Sequence, residues 1–150
     1  MTGQTPEHEG REQHEETSAQ QWADRAHALI EAKGPDGLAH VLRHDFVQES
    51  RTSLVVRREG LLGSARTMYE MGLHVSGHAV AVAGDLCVLT RRVYRNASSV
   101  VELLAVSVWD EDGLLVKLIE FDIDALDAAL AELTLVAGQP AVLLPSPPDT

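Results

Sequence analysis

Residues 73–122 read LHVSGHAVAVAGDLCVLTRRVYRNASSVVELLAVSVWDEDGLLVKLIEFD, and this run decides the fold. Apolar, often β-branched side chains dominate it. Turn chemistry interrupts it three times, at Gly84-Asp85, at Arg95-Asn96-Ala97-Ser98 and at Asp110-Glu111-Asp112-Gly113. The breaks leave four strands, about 73–83, 85–95, 99–110 and 114–122. Connections this short join antiparallel neighbours, so the strands form a meander.

The flanks read as helices. Upstream, Trp22, Ala26, Leu29 and Ile30 make a helical stripe that stops at Lys33-Gly34-Pro35, a C-terminal glycine followed by a breaker. A short second helix carries Leu38, Val41 and Leu42 on one side. An extended stretch follows from Phe46 to Arg58, with Leu54, Val55 and Val56 at its centre and no pairing legible. Gly63-Ser64 opens a third helix, with Ala65, Met68 and Tyr69 inward and Gly72 at its end. Downstream, a last helix covers about 123–133, with Ile123, Leu126, Leu130 and Leu133 inward and Asp122 or Asp124 as cap. Helices, then an antiparallel meander, then a helix is an α+β order. The strands carry more apolar surface than one side needs, so helices cover a sheet face. A curved sheet closed by helices makes a cone, which often leaves a cavity.

The chain has 150 residues, room for one domain. Aromatics are 4%, so the core rests on Leu, Val and Ala. Residues 1–18 hold five acids, one base and no large apolar side chain but Met1, which reads as a disordered acidic tail. Residues 135–150 hold four prolines and one charge and read as a second tail, although Ala141–Leu144 is apolar enough to lie on a neighbouring surface. The folded domain is then 19–134. A net charge of -11 argues against nucleic-acid binding, which needs a basic patch. No apolar run has membrane-helix length and the start is polar, so a cytoplasmic chain with no membrane partner is expected. The single cysteine, Cys87, excludes an intramolecular disulfide and a multi-cysteine zinc site, and reads as a small buried hydrophobe.

Two stretches carry a resemblance. Val88-Leu89-Thr90-Arg91-Arg92-Val93-Tyr94 resembles the arginine-bearing strand of limonene epoxide hydrolase-like proteins, which runs Val-Leu-Thr-Glu-Arg-x-Asp. Gly113–Asp122 resembles the closing strand of SnoaL-like cyclases, and the segment from Phe121 to Leu130 resembles their terminal segment. With the element order, these place residues 19–134 beside the ketosteroid isomerase-like, or nuclear transport factor two-like, superfamily. The resemblance implies a cone-shaped, curved antiparallel sheet wrapped around helices, a deep apolar pocket, a small apolar ligand, no cofactor and a homodimer formed through the sheet. It implies no single chemistry, because the fold hosts isomerases, cyclases, hydrolases and non-catalytic binders.

Alternation along a strand puts Thr90, Arg92 and Tyr94 on one face, and Leu114, Val116, Leu118, Glu120 and Asp122 on another. By resemblance these sets face the pocket. In the hydrolase pattern the arginine bridges two carboxylates, one activating water and one protonating the epoxide oxygen. Arg92 matches the arginine and Glu120 the closing-strand acid. Tyr94 stands where the second acid belongs, and a tyrosine can donate to a developing oxyanion. The plainer role for the same Arg92 and Glu120 is structural or binding, as an ion pair holding two strands. At the places of the ketosteroid isomerase acids and tyrosine stand Ser50, Arg25 and Ala105, none able to play the part. Glu49 is one residue from the base position, and so turned to the other face.

Leu103, Ser107 and Trp109 alternate on one strand and line the pocket or its rim, with core packing the plainer role for Trp109. Tyr69 and Met68 are core or ligand contacts. His74 and His78 share a strand face about 13 Å apart, too far to chelate one metal, and no metal site is read. His78 is a pocket acid or base, or a hydrogen-bonded structural histidine. Glu120 as general base, Arg92 and Tyr94 define an acid–base enzyme acting on a polyketide- or terpenoid-like molecule by cyclisation, isomerisation or epoxide opening. A non-catalytic binding or dimerisation module is the rival.

Overall fold

The computed structural model describes residues 16–50 and 55–145. Helix α1, Ser18–Lys33, opens on a capping box: the Gln20 N–H donates to the Thr17 hydroxyl, and the Thr17 N–H donates to the Gln20 side chain, each at 3.2 Å. The Ser18 N–H donates to Asp85 Oδ1 at 2.9 Å, which pins the helix start to the turn between two sheet strands. Thr17 and Ser18 therefore belong to the fold, although both fall in the segment expected as a tail. Residues 1–15 lie outside the described residues.

Helix α1 stops at Gly34, whose φ of 63° suits glycine, and a side chain there would meet the Tyr69 ring at 2.7 Å. Helix α2, Pro35–Val41, leads directly into β1, Leu42–Ser50. Then come β2, Val55–Arg57, and α3, Arg58–Glu70. Helix α3 thus starts at Arg58 and not at Gly63-Ser64, so Gly60 and Gly63 lie inside it. The expected central Leu54 lies outside the described residues.

The meander follows as β3, His74–Ala83, β4, Cys87–Arg95, β5, Val100–Trp109, and β6, Leu115–Asp122. Helix α4 spans Leu126–Ala137 with Ala125 as its cap residue. Neither Asp122 nor Asp124 caps it, because Asp122 is still the last residue of β6. Of the segment expected as a tail, residues 135–145 are described and 146–150 lie outside the described residues. Residues 135–137 finish α4, and β7, Val142–Leu143, pairs with Ala81 and Val82 on the free edge of β3. Leu144 packs against the core.

The seven strands lie in the order β2-β1-β6-β5-β4-β3-β7, in one curved, unclosed sheet. The four central strands form the expected antiparallel meander. The sheet as a whole is mixed, since β1 runs parallel to β6, with Gln48 opposite Leu118 and Ser50 opposite Glu120. No hairpin joins those two strands, so nothing local constrains their direction.

Helices cover both sheet faces rather than one. On the inner face α1 packs Ala19, Ala23 and Ala26 onto Val88, Ala105, Trp109 and Leu118. Small side chains on the helix let it lie close, and Trp22 meets Trp109 at a ring distance of 6.2 Å. On the outer face α4 packs Ala129 and Leu133 onto Leu89, Leu104, Val106 and Phe121, with Cys87 buried among them. Ile123 and Leu126, expected inward, are partly exposed at the start of α4. Among the described residues no helix is long and apolar enough to cross a membrane.

Candidate functional site

The inner face does not close completely. It bounds a cavity of about 500 Å³ between the sheet, α1 and α3, walled mainly by apolar side chains such as Ala26, Ile30, Leu61, Met68, Leu103 and Leu118. The strand register orders its polar side chains in rungs. Val88, Ser107 and Leu118 form the innermost rung, and Thr90, Ala105 and Glu120 the next. Gly77, Arg92 and Leu103 follow, then Val75, Tyr94 and Val101. Val101 and Met71, both in the wall, are more than half exposed, which places the mouth at the Tyr94 end.

At the inner end, the Trp109 indole N–H donates to Ser107 Oγ at 2.9 Å, and that hydroxyl donates to the Val88 carbonyl at 3.3 Å. The two polar groups satisfy each other and the backbone, so they serve as wall. The next rung holds Glu120. Burial pushes its carboxyl above the ordinary range, opposed by the positive charge of Arg92 and by a hydrogen bond from the Gln48 side chain. Arg92 and Glu120 are no ion pair. They stand two strands and one rung apart, about 12 Å between Cα atoms on a flat ladder. Among the described residues no contact within 4.0 Å joins them. The bridge implied by the hydrolase pattern is therefore absent, and Gln48 takes the place of the arginine at the carboxyl.

His27 projects from α1 over β3. Its ring lies where glycine leaves room: a side chain at Gly77 would sit 3.0 Å from His27 Cε1. Burial and the Arg92 charge lower the His27 pKa to about 4, so the ring is neutral at pH 7. Three buried polar atoms of cavity-lining residues have no hydrogen-bond partner: His27 Nδ1, Gln48 Oε1 and Arg92 Nε. Such atoms are costly to bury and mark a place where a ligand finds partners.

Of the residues singled out from sequence, Glu120, Arg92, Tyr94, Trp109, Ser107, Leu103 and Leu118 line this cavity. Tyr94 stands nearer the mouth than Glu120, so the two do not meet at one point. Three others are elsewhere. Tyr69 is 55% exposed and lies against Gly34, while Ala65 and Met68 of the same helix line the cavity. His78 pairs across from Arg91, whose side chain faces outward, while Val75 of the opposite parity lines the cavity. Asp122 is exposed at the end of β6, outside the wall.

His27 and Gln48 went unread in the sequence. Gln48 sits on the stretch whose pairing was not legible. His27 follows Ala26 of the inward stripe, which was a usable signal: a polar residue at the edge of a helix's buried face.

No family model and no curated protein matches the chain. Solved structures do match its fold. A SnoaL-like protein of Burkholderia thailandensis superposes with a TM-score of 0.55 and 23% identity, over 69% of this chain and 93% of that one. Rv0760c of Mycobacterium tuberculosis, solved with estradiol-17β-hemisuccinate, gives 0.58 and 11%, over 71% and 94%. The epoxide hydrolase/cyclase-like enzyme SalBIII, with a role in pyran ring formation in salinomycin, gives 0.56 and 10%, over 67% and 87%. The chain has the fold of the ketosteroid isomerase-like, SnoaL-like superfamily.

Proposed function

We propose that the chain is an acid–base enzyme that cyclises, isomerises or opens an epoxide in a small apolar molecule of polyketide- or terpenoid-like character. The observation that carries this is Glu120, a carboxyl in the wall of an apolar cavity with its pKa raised by burial. Burial favours the protonated form, so this carboxyl keeps its proton to higher pH than an exposed one does, which suits a group that gives and takes protons. In this reading Glu120 moves the proton and Gln48 orients its carboxyl. Arg92 holds an oxygen of the substrate, and neutral His27 adds a hydrogen bond beside it. Tyr94, nearer the mouth, donates to the far end of the molecule. Structures of the same fold that hold a steroid derivative or belong to an epoxide hydrolase/cyclase-like enzyme support the substrate class.

A non-catalytic binding module is the second reading. Tyr94 in place of an acid, and the separation of Arg92 from Glu120, favour it. A homodimer formed through the sheet belongs to either reading.

The test is conversion of a panel of apolar enones, epoxides and polyketide-type esters, followed by mass spectrometry. Turnover that disappears in Glu120→Gln supports the enzyme. Saturable binding without conversion supports the module. Absence of any binding overturns both.

A further inference from the structure

The sheet treats its neighbouring arginines differently. Arg91 faces outward and pairs with Glu102, and Lys117 pairs with Glu49 at 3.5 Å. Arg92 faces inward to the cavity, and among the described residues no carboxylate lies within 4.0 Å of it. Its Nε is shielded from solvent and has no hydrogen-bond partner. The carboxyl in the same cavity, Glu120, stands a rung away and is held by Gln48. A guanidinium in an apolar wall without its counter-charge is unfavourable unless something else supplies one.

We propose that the cavity takes an apolar organic acid, whose carboxylate pairs with the Arg92 guanidinium while its hydrocarbon body lies along the apolar wall. This rests on the cavity being a ligand site, and adds the charge of the ligand. An unpartnered Nε suits the side-on approach, in which one carboxylate accepts from Nε and from a terminal guanidinium nitrogen together. Glu120 offers limited opposition, since burial favours its uncharged form. His27 is neutral beside Arg92 and adds no second cation, so one negative charge suffices. The net charge of -11 works against anions only at long range, and about 8 Å of physiological salt solution screens it. The attraction is therefore local to Arg92.

Two fluorescent probes with one apolar body test this on the full chain. 8-Anilinonaphthalene-1-sulfonate is an anion, and N-phenyl-1-naphthylamine is the same ring system without the charge. The anion should bind about tenfold tighter or more, decanoate should displace it, and decan-1-ol should do so about tenfold less well. Arg92→Gln should abolish the preference, Arg92→Lys should keep its direction, and Arg91→Gln should leave it intact. If Arg92→Gln does not fold, the Arg92→Lys result and the decanoate competition decide. Equal binding of the two probes, or a preference that survives Arg92→Gln, overturns the organic acid and leaves the apolar ligand site standing. Failure of both probes to bind overturns the ligand site itself.

Discussion

Arg92 and Glu120 line one wall with Ala105 between their strands, one rung apart, and do not touch. Each is half-buried on its own terms: the guanidinium with its Nε shielded and no counter-charge, the carboxyl with its pKa raised.

Glu120→Gln separates chemistry from stability. A carboxyl whose folded pKa lies above its unfolded one stabilises the fold when protonated, and that contribution is lost as pH rises through the folded value. Glutamine keeps the shape and removes the charge. The melting temperature at pH 7 should therefore hold or rise, while turnover falls about 100- to 10,000-fold. A lower melting temperature at pH 7 would mean that Glu120 is a structural partner after all.

Gln48→Leu removes the amide that stabilises the charged carboxyl. The Glu120 pKa should move further up, and any limb of a pH–rate profile that reports its ionisation should move to higher pH. A carbon-detected NMR titration of the Glu120 carboxyl reads the shift directly. An unchanged or lowered value would show that the amide does not act on Glu120.

His27 should make the fold sensitive to mild acid. Its pKa of about 4 in the folded chain lies below the ordinary 6.5, so the unfolded chain binds the extra proton first. Stability is complete above 6.5 and falls between there and about 4, by about 3 kcal/mol if His27 acts alone. The charged and titratable groups around it are Arg92 in the cavity, and Glu31, His74 and Arg95 around a second pocket on its other side. Urea unfolding at pH 7 and pH 4.5 should show a smaller loss in His27→Gln than in the natural chain. Equal losses would place the acid sensitivity in other groups.

The two ends of the chain should behave differently when cut. Removing residues 1–15 leaves the Thr17 cap and the Asp85 contact in place, and the melting temperature should not change. Removing residues 141–150 takes β7 from the β3 edge and Leu144 from the core. That should cost about 1–2 kcal/mol and lower the melting temperature by roughly 2–8 °C. Differential scanning calorimetry of the two shortened chains distinguishes them, and a large loss from the first cut would refute the tail reading of the N-terminus.

Local patterns were read well where they act locally. The alternation of Thr90, Arg92 and Tyr94 and the turn at Asp110–Gly113 depend on neighbours in the chain, and the strands follow them. The box formed by Thr17 and Gln20 was equally local and went unread because the acidic run before it drew the boundary too late. Tyr69 and Asp122 depend on surroundings that a local pattern does not carry: Ala65 and Met68 of the same helix line the cavity while Tyr69 meets Gly34, and Asp122 ends β6 outside the wall.

The sequence alone determined the α+β class, the central meander and the pairing of polar with apolar positions on its strands, because periodicity and turn chemistry are properties of short segments. The tertiary structure alone decided which polar groups meet. The parallel pairing of β1 with β6 brings Gln48 to Glu120 across about 70 residues of chain. The register of β4, β5 and β6 keeps Arg92 a rung away from that carboxyl, and α1 sets His27 over Gly77. Register and packing between distant segments arise from the whole sheet closing at once, and no short stretch of sequence encodes them.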